Sequence, residues 1–542
     1  MSESESSAPE DDLPKSVPTR CGWLSRFIKN IRWRAYWRFP NVVSPPYGVN
    51  KHNDEQRDRE SNETSRVPED EELRLRVVWG VELYGPAEAE NLCAQLSRLN
   101  WSAGIARSVD DSAGNWVRYQ RAHSGAGAWY NVGLVTSQGD QSRFIKTNNN
   151  YAQMPECVDC LHVCIRQLTP SLTCVLIGFV LKGCIVQGYE EALNQDRKTR
   201  YERLETQRGV SILDPQSLKQ RSIERIRDKA RTIVQAWFSK NIPGFFCSLS
   251  NTPIPIAEFI TTKNNHLLPN SDEQKLKARC DWRSLVATSL GYDVWTSSAC
   301  NGLRFLIDNS GWKKKPPHFV VALCRSDIAD DFFDSWGGNV DRDYLIYSHD
   351  HIEGVLSNYA VTEFLKAVSS DLKISRAALT IKNSGRRKAI RTIEKIQAFF
   401  DHSLGTPAIV AELLEHSKHL GNFKYRCQAF LSPVWGKDDE QCEFSATLCE
   451  QTSFLAKQVI NEERSLREHF EQLSTVLSVR ESVQAQRRME WLTVMAVVIA
   501  TASLLVTLHP AGDWLETSST FLHRVQGYFE SLWSAIFNSM EP

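Results

Sequence analysis

Side chains that commonly bind metals cluster in one short stretch of the chain, at Cys157, Cys160, His162 and Cys164. Cys157 and Cys160 form a Cys-x2-Cys pair, a spacing at which two thiolates can bind one zinc ion. The chain has no second pair of this kind, so a complete zinc site would need ligands from elsewhere. The pattern is typical of ordinary buried thiols, while zinc binding and redox chemistry stay open as alternatives.

A second candidate site lies in the stretch from Ser348 to Glu353, where imidazoles and carboxylates alternate. His349 and His351 are its candidate metal ligands, and six aspartates precede them, at Asp327, Asp330, Asp331, Asp334, Asp341 and Asp343. Such groups suit a divalent metal used in phosphate or phosphodiester chemistry. Their spacing matches no metallohydrolase motif, so a solvated acidic segment is the alternative. Zinc or another divalent metal is therefore the one cofactor that the sequence suggests.

Other motifs give weaker signals. The glycine-rich stretch from His123 to Gly127 predicts a hairpin loop, because it lacks the third glycine of a dinucleotide fingerprint. Basic stretches at Lys219 to Arg231 and Lys382 to Lys395 predict solvated helix faces, with nucleotide, RNA or lipid-headgroup binding as the alternative. The net charge of −1 gives no strong nucleic-acid signal. No common catalytic motif is present, so the sequence does not support an enzyme.

The stretch from Trp491 to Leu508 is apolar and contains no charge, proline or glycine. A helix of this length spans roughly 27 Å, close to the ~30 Å hydrocarbon core of a bilayer. The sequence therefore predicts one membrane span, represented by Trp491, Leu492, Val497, Ile499, Leu504 and Leu508. Arginines before the span predict an integral membrane protein with a cytoplasmic N-terminal body and an external C-terminal tail.

Amphipathic segments flank this arrangement. Residues 511-542 predict a helix that lies flat in the outer interface, crosses the membrane with Arg524 and Glu530 lining a pore, or packs on a partner.

Residues 1-72 predict disorder, including a mixed-charge linker from Lys51 to Glu72. The basic segment 20-39 within them predicts contact with membrane lipid, docking on the protein body or binding of single-stranded nucleic acid. Its membrane-surface residues are Trp23, Phe27, Arg32 and Trp37.

The predicted fold class is an α+β cytosolic body, followed by a helical region, a coiled-coil-like stalk helix and a C-terminal transmembrane helix. The body covers residues 73-345, with strands at Leu73 onward, at Leu161 to Leu181 as a hairpin and at His318 to Cys324, and a helix after Asp214-Pro215. Residues 346-440 form the helical region, with helix from about Ile352. Residues 441-490 carry a heptad-like apolar seam, which predicts a homo-oligomer or an intramolecular bundle.

The approach to the apolar stretch, RESVQAQRRMEWLTVMAVVIATASLLVTL, resembles the entry into the first membrane helix of CorA-type divalent-cation transporters. The similarity covers about 70 residues at the C-terminal end, and the family has the same order of cytosolic α+β domain, long helices and C-terminal spans. The Gly-Met-Asn motif of that family is absent, and residues 509-513 stand in its place. The resemblance implies ion conduction through the membrane.

The predicted function is therefore a membrane-anchored cytosolic sensor or binding protein that oligomerises through its stalk. One alternative is a CorA-like ion-conducting or pore-forming effector. The other is a membrane-tethered, metal-dependent hydrolase that uses His349, Asp350 and His351.

Overall fold

The computed structural model describes residues 23–39, 42–43, 51–103, 112–123, 127–138, 150–203, 210–248, 253–270, 281–286, 294–308, 318–329, 332, 340–378, 405–419, 421–424, 427–434, 440–508 and 527. The chain divides into two compact units, Met1–Glu463 and Arg464–Pro542. The first unit contains the β-sheet and the helices that pack on it. The described part of the second unit is chiefly the C-terminal portion of the last helix.

One nine-stranded sheet forms the centre of the first unit, in the order β11-β8-β9-β10-β7-β1-β4-β3-β2. Its strands are β1 (Leu73–Tyr84), β2 (Ala128–Val135), β3 (Val158–Thr169), β4 (Leu172–Leu181), β7 (Ile256–Thr262), β8 (Trp295–Ser297), β9 (Leu303–Asp308), β10 (His318–Cys324) and β11 (Phe430–Leu431). β7 and β10 are parallel, and the other neighbouring pairs are antiparallel. β5 (Arg200–Arg203) and β6 (Val210–Leu213) form a separate two-stranded sheet.

The described helices vary widely in length. They are α1 (Trp23–Arg38), α2 (Lys51–Thr64), α3 (Pro86–Leu99), α4 (Ala113–His123), α5 (Cys184–Asn194), α6 (Pro215–Asn241), α7 (Phe245–Ser248), α8 (Arg283–Val286), α9 (Val340–Ala378), α10 (Thr406–His416), α11 (Gly421–Lys424) and α12 (Phe444–Leu508).

Several elements lie where local sequence patterns place them. β3 and β4 form the predicted hairpin, and β10 coincides with the predicted strand at His318 to Cys324. α6 begins after Asp214, whose side chain accepts a hydrogen bond from the Ser217 N–H and so caps the first turn. Pro215 occupies the first helical position, where its missing N–H has no cost.

Helices cover both faces of the sheet, and β1, near its centre, is therefore buried along nearly its whole length. Gly80 faces α6, since a Cβ there would lie 2.4 Å from Val234 and 2.9 Å from Phe238. The next residue back, Trp79, points to the opposite face because side chains alternate along a strand. α9 also packs against β1 and β4. The sheet is therefore the middle layer between α5 and α6 on one side and α9 on the other.

The predicted fold class is wrong. The protein has a mixed α/β architecture around one large sheet, rather than an α+β body followed by a stalk and a membrane helix. Local patterns identified individual strands but not the pairing of β1 with β7, whose partners Gly80 and Ile256 are far apart in the sequence. This long-range pairing joins two portions of the chain that look separate in the sequence.

The predicted membrane span and the integral-membrane localisation are also wrong. Among the described residues, no helix has both the length and the apolar character needed to cross a bilayer. Trp491, Leu492, Val497, Ile499, Leu504 and Leu508 lie on α12, a helix of 65 residues. The apolar stretch is only the last part of this helix, and charged residues recur along α12 before Trp491.

The segment predicted as a mixed-charge linker contains the helix α2, which the rest of the unit holds in place. The Asn62 side chain donates to the Arg197 carbonyl at 2.7 Å and accepts from the Arg197 N–H at 2.9 Å. The basic segment 20-39 forms α1, on which Phe27 and Arg32 are exposed and Trp23 and Trp37 also lie. Tyr36 of α1 packs edge-on against Tyr201. This contact agrees with docking, and binding of membrane lipid by α1 stays a prediction.

Three further predictions are not tested by the structure. Arg524 and Glu530, the predicted pore-lining residues, lie outside the described residues, as does the basic stretch from Lys382 to Lys395. The homo-oligomer predicted through residues 441-490 stays a prediction, because a single chain is described.

Candidate metal centre

A buried cluster of two imidazoles and one carboxylate lies where β3 faces α9. His162 comes from β3, and its side chain is 5% exposed. His349 and Glu353 come from α9, one turn apart, so they share one face of that helix. One potential ligand atom from each of the three residues lies within 4.8 Å of the other two. A strand and a helix that are distant in sequence thus bring three donor groups together.

The three groups converge on the Glu353 carboxylate. Its Oε1 lies 2.9 Å from His162 Nδ1 and 3.7 Å from His349 Nδ1. The 2.9 Å separation is short enough for a hydrogen bond, but the angles at the two atoms are not those of one. None of these three buried atoms has a hydrogen-bond partner among the described residues. A buried carboxylate without well-aligned donors is costly unless a positive charge compensates it.

For two members of the cluster, His349 and Glu353, the electrostatics favour the protonation states that metal binding requires. Burial and the neighbouring His162 together lower the pKa of His349 to about 4, so this imidazole is neutral near pH 7. Burial raises the pKa of Glu353, but the contact with His162 and its charge outweigh this effect and leave the pKa below its ordinary value. A neutral imidazole and an ionised carboxylate both offer lone pairs.

The neighbours of the cluster do not add a thiolate. Burial raises the pKa of Cys164 well above its ordinary value, and the Glu353 charge raises it further. Arg166, two residues along β3, donates to the Ser357 hydroxyl at 2.6 Å and to the Glu353 carbonyl at 3.4 Å. These bonds tie β3 to α9 beside the cluster and fix the positions of its members.

A second group of potential ligands contains His266, Cys324 and Asp327. It lies at the edge where the parallel strands β7 and β10 end, and His266 Nε2 is 3.0 Å from Asp327 Oδ2. Burial lowers the pKa of His266 to about 4, and the Arg304 charge acts in the same direction. The Asp327 side chain is 36% exposed, and Cys324 Sγ has the Ser326 hydroxyl 3.1 Å away. These groups already have partners or solvent, so the first cluster is the stronger candidate.

The structure separates most of the predicted metal ligands. Cys157 lies beside Cys184, whose thiol, together with burial, raises the pKa of Cys157. Cys160 lies in β3 beside Arg342. His351 is on α9, with its ring centroid 6.4 Å from that of Phe430. Neither cysteine nor His351 belongs to the group formed by the other predicted ligand, His349.

Sequence reasoning missed Glu353 as a ligand and did not pair His162 with His349. The stretch from Ser348 to Glu353 is neither a loop nor the start of the helix, because α9 already begins at Val340. The signal that could have identified Glu353 is its spacing of four residues from His349, which places both side chains on one helix face.

No family model matches the chain, and no curated protein or solved structure shows detectable similarity to it. The resemblance to CorA-type transporters therefore depends on the residues quoted above alone.

Proposed function

We propose that this protein is a metal-binding sensor that takes up one divalent transition-metal ion between β3 and α9, at His162, His349 and Glu353. The convergence of three buried ligand atoms that have no hydrogen-bond partner among the described residues supports this proposal. A metal ion would neutralise the Glu353 carboxylate and use the lone pairs of both imidazoles.

The donor set favours zinc among the biological metals. Two imidazoles and one carboxylate form a common zinc ligand set, and ligands about 2.1 Å from a tetrahedral zinc lie roughly 3.4 Å from each other. The separations of 2.9 Å and 3.7 Å at Glu353 Oε1 lie on either side of this value. Small side-chain rotations would therefore complete three of the four tetrahedral positions.

The location of the cluster supports sensing more than catalysis. The His162 and Glu353 side chains are 5% and 6% exposed, so a substrate would have little access to the ion. Metal binding would instead join the sheet to α9, a helix of 39 residues. The occupancy of the site would then control how tightly α9 is held against the sheet. Such a shift between two states of a long helix can change the structure of a surface far from the metal.

Metal analysis tests the proposal directly. We expect the purified full chain, stripped with a chelator and dialysed against zinc, to retain about one ion per chain by mass spectrometry. H162A and E353Q should lose it. H416A is the matched control, because His416 is a partly buried histidine that packs on Phe423, outside both metal-ligand groups.

Substoichiometric zinc, manganese and iron in the wild-type protein would refute the proposal. Equal losses in H416A and H162A would also refute it, because they would show a general effect of removing an imidazole.

A metal-dependent hydrolase is the second candidate. Three protein ligands leave one coordination position for water, as in catalytic zinc sites. The His349 side chain is 16% exposed, more than its two partners, so the site is most open on that side. The metal-loaded protein should then cleave bis(p-nitrophenyl) phosphate and E353Q should not. Absence of turnover with zinc, manganese and iron would eliminate this candidate.

A further inference from the structure

A basic cavity lies away from the metal cluster, between β5, the loop before it and the first turns of α6. Its volume is about 300 Å³. Five cationic side chains line it, from Arg197, Lys198, Arg200, Arg221 and Arg225, against two carboxylates. Arg221 and Arg225 are one helical turn apart on α6, so both reach the same side of the helix. The cavity therefore concentrates positive charge from two structural elements.

The two carboxylates do not neutralise this charge. Glu202 pairs with Arg221, with 2.7 Å between Oε2 and Nη1. Asp196 pairs at 2.9 Å with Arg66, which is not among the lining residues. Lys198, Arg200 and Arg225 have no ion pair with any described residue. Three like charges that face one cavity repel each other, and a bound anion would relieve this repulsion.

α2 holds the cationic loop in position before any ligand arrives. Asn62, which is buried, bonds both backbone groups of Arg197. Asp58 accepts hydrogen bonds from the Thr199 N–H, at 2.9 Å, and from its hydroxyl. The backbone on either side of Lys198 is thus fixed from a neighbouring helix. A fixed backbone reduces the entropy lost when Arg197 and Arg200 bind a ligand.

Lys219 adds a buried cation close to this cavity. It is 0% exposed, and its Nζ has no hydrogen-bond partner among the described residues. Its charge acts on Asp196 and Arg197, both of which line the cavity. Because burial lowers its pKa to about 8, an anion in the cavity would favour its charged form.

The lining also restricts the chemical class of the anion. Among the described residues that line the cavity, Leu218 is the one apolar residue, and none is an aromatic residue that could stack on a base. Arginines bind phosphate oxygens in bidentate fashion, and four of the five cations that line the cavity are arginines. We propose that this cavity binds a small, soluble, multiply phosphorylated ligand with little apolar surface, in the manner of an inositol polyphosphate or a short polyphosphate chain.

Calorimetric titration of the full chain tests this proposal, with inositol hexakisphosphate and inorganic tripolyphosphate as probes. We expect saturable binding that weakens as salt rises from about 50 to about 200 mM, because phosphate contacts release counterions. R200E/R225E should weaken it by about tenfold or more, since two attractive charges become repulsive. R118E reverses an exposed arginine on α4 and should have no effect.

Thermal melting of each variant establishes that it is folded. If the double variant does not fold, R225Q is titrated in its place, because it removes one positive charge without introducing a negative one. No heat with either probe would overturn the proposal, as would an equal loss in R118E. Binding to phosphoinositide vesicles without binding to the free polyphosphates would also overturn it, because the ligand would then be a lipid headgroup.

Discussion

The indole of Trp79 stands nearly edge-on to the imidazole of His162, with 5.9 Å between the ring centroids and 73° between their planes. Gly178 lies between them in the sheet, because it pairs with Trp79 on one side and with His162 on the other. A Cβ on Gly178 would lie 3.1 Å from two indole carbons. The missing side chain on β4 therefore makes the room that lets Trp79 support a candidate metal ligand.

Gly178→Ala should destabilise the protein by about 1–3 kcal/mol, because the added methyl group overpacks the sheet against the indole. It should also weaken zinc binding by displacing His162. Urea unfolding and zinc titration measure the two effects. Gly188→Ala is the control, since its Cβ would meet Ile226 at an ordinary 3.6 Å and alanine favours the helix α5. A G178A protein with unchanged stability and zinc affinity would contradict this prediction.

Glu82 should make stability fall as the pH rises. Burial raises the pKa of the Glu82 carboxyl group from 4.5 to about 7. The backbone N–H groups of Phe246, Leu83 and Cys247 donate hydrogen bonds to this carboxylate and oppose the shift. The native state therefore binds a proton more tightly than the unfolded chain. The free energy of unfolding should decrease by about 3 kcal/mol between pH 4.5 and pH 7 and stay level above that range.

Glu82→Gln should flatten this slope, as measured by urea unfolding at a series of pH values. Glu88→Gln is the control, because Glu88 caps α3 and its side chain is only partly buried. An E82Q profile as steep as that of the wild type would mean that another group produces the pH dependence.

The ion pair between Arg227 and Glu258 should be essential for stability, because it joins α6 to β7 and both side chains are at most 5% exposed. Arg227 Nε lies 2.9 Å and 3.0 Å from the two carboxylate oxygens. Arg227→Met should cost about 3–5 kcal/mol, since it leaves a buried carboxylate without its partner. R227M/E258M should recover part of this loss in chemical denaturation.

Arg66→Met provides the comparison for that variant, because the Arg66–Asp196 pair is exposed and should contribute within about 1 kcal/mol. If R227M cost no more than R66M, the buried pair would not be stabilising in the way its geometry implies.

Metal removal should lower the thermal stability of the wild-type protein. Zinc at about 100 times its dissociation constant should add roughly 2.7 kcal/mol, because it binds the folded state alone. His162→Ala should show no such gain, whereas H416A should respond like the wild type. Differential scanning fluorimetry with and without EDTA measures the shift, and a zinc-induced gain in H162A would place the metal elsewhere.

The sequence predicted those elements whose signals are local. β3 and β4 were identifiable from two apolar runs around Thr169-Pro170-Ser171, and α6 from the cap at Asp214. Long-range pairing has no local signal, so the sheet that joins β1 to β7 was missed. The helix α2 was missed for a related reason: its composition is polar, and contacts such as Asn62 with Arg197 hold it in place.

The candidate metal centre was predictable only in part. His349 was identified from its residue type and neighbours, but the helix was expected to begin near Ile352, which hid the relation between His349 and Glu353. His162 comes from a strand far away in the sequence, and only the packing of α9 on the sheet brings it close. Cys157 and Cys160 had the more familiar spacing, yet their positions beside Cys184 and Arg342 separate them.

The central position of β1 has a consequence for how the chain folds during synthesis. Its partner β4 leaves the ribosome about a hundred residues after it, but β7, its partner on the other side, follows only after some eighty more. One edge of β1 stays unpaired throughout this interval, and an unpaired apolar strand edge is a site where nascent chains aggregate. The high sequence separation of these pairs also makes folding slow. Production of this protein should therefore depend on chaperones that cover the β1 edge until β7 has emerged.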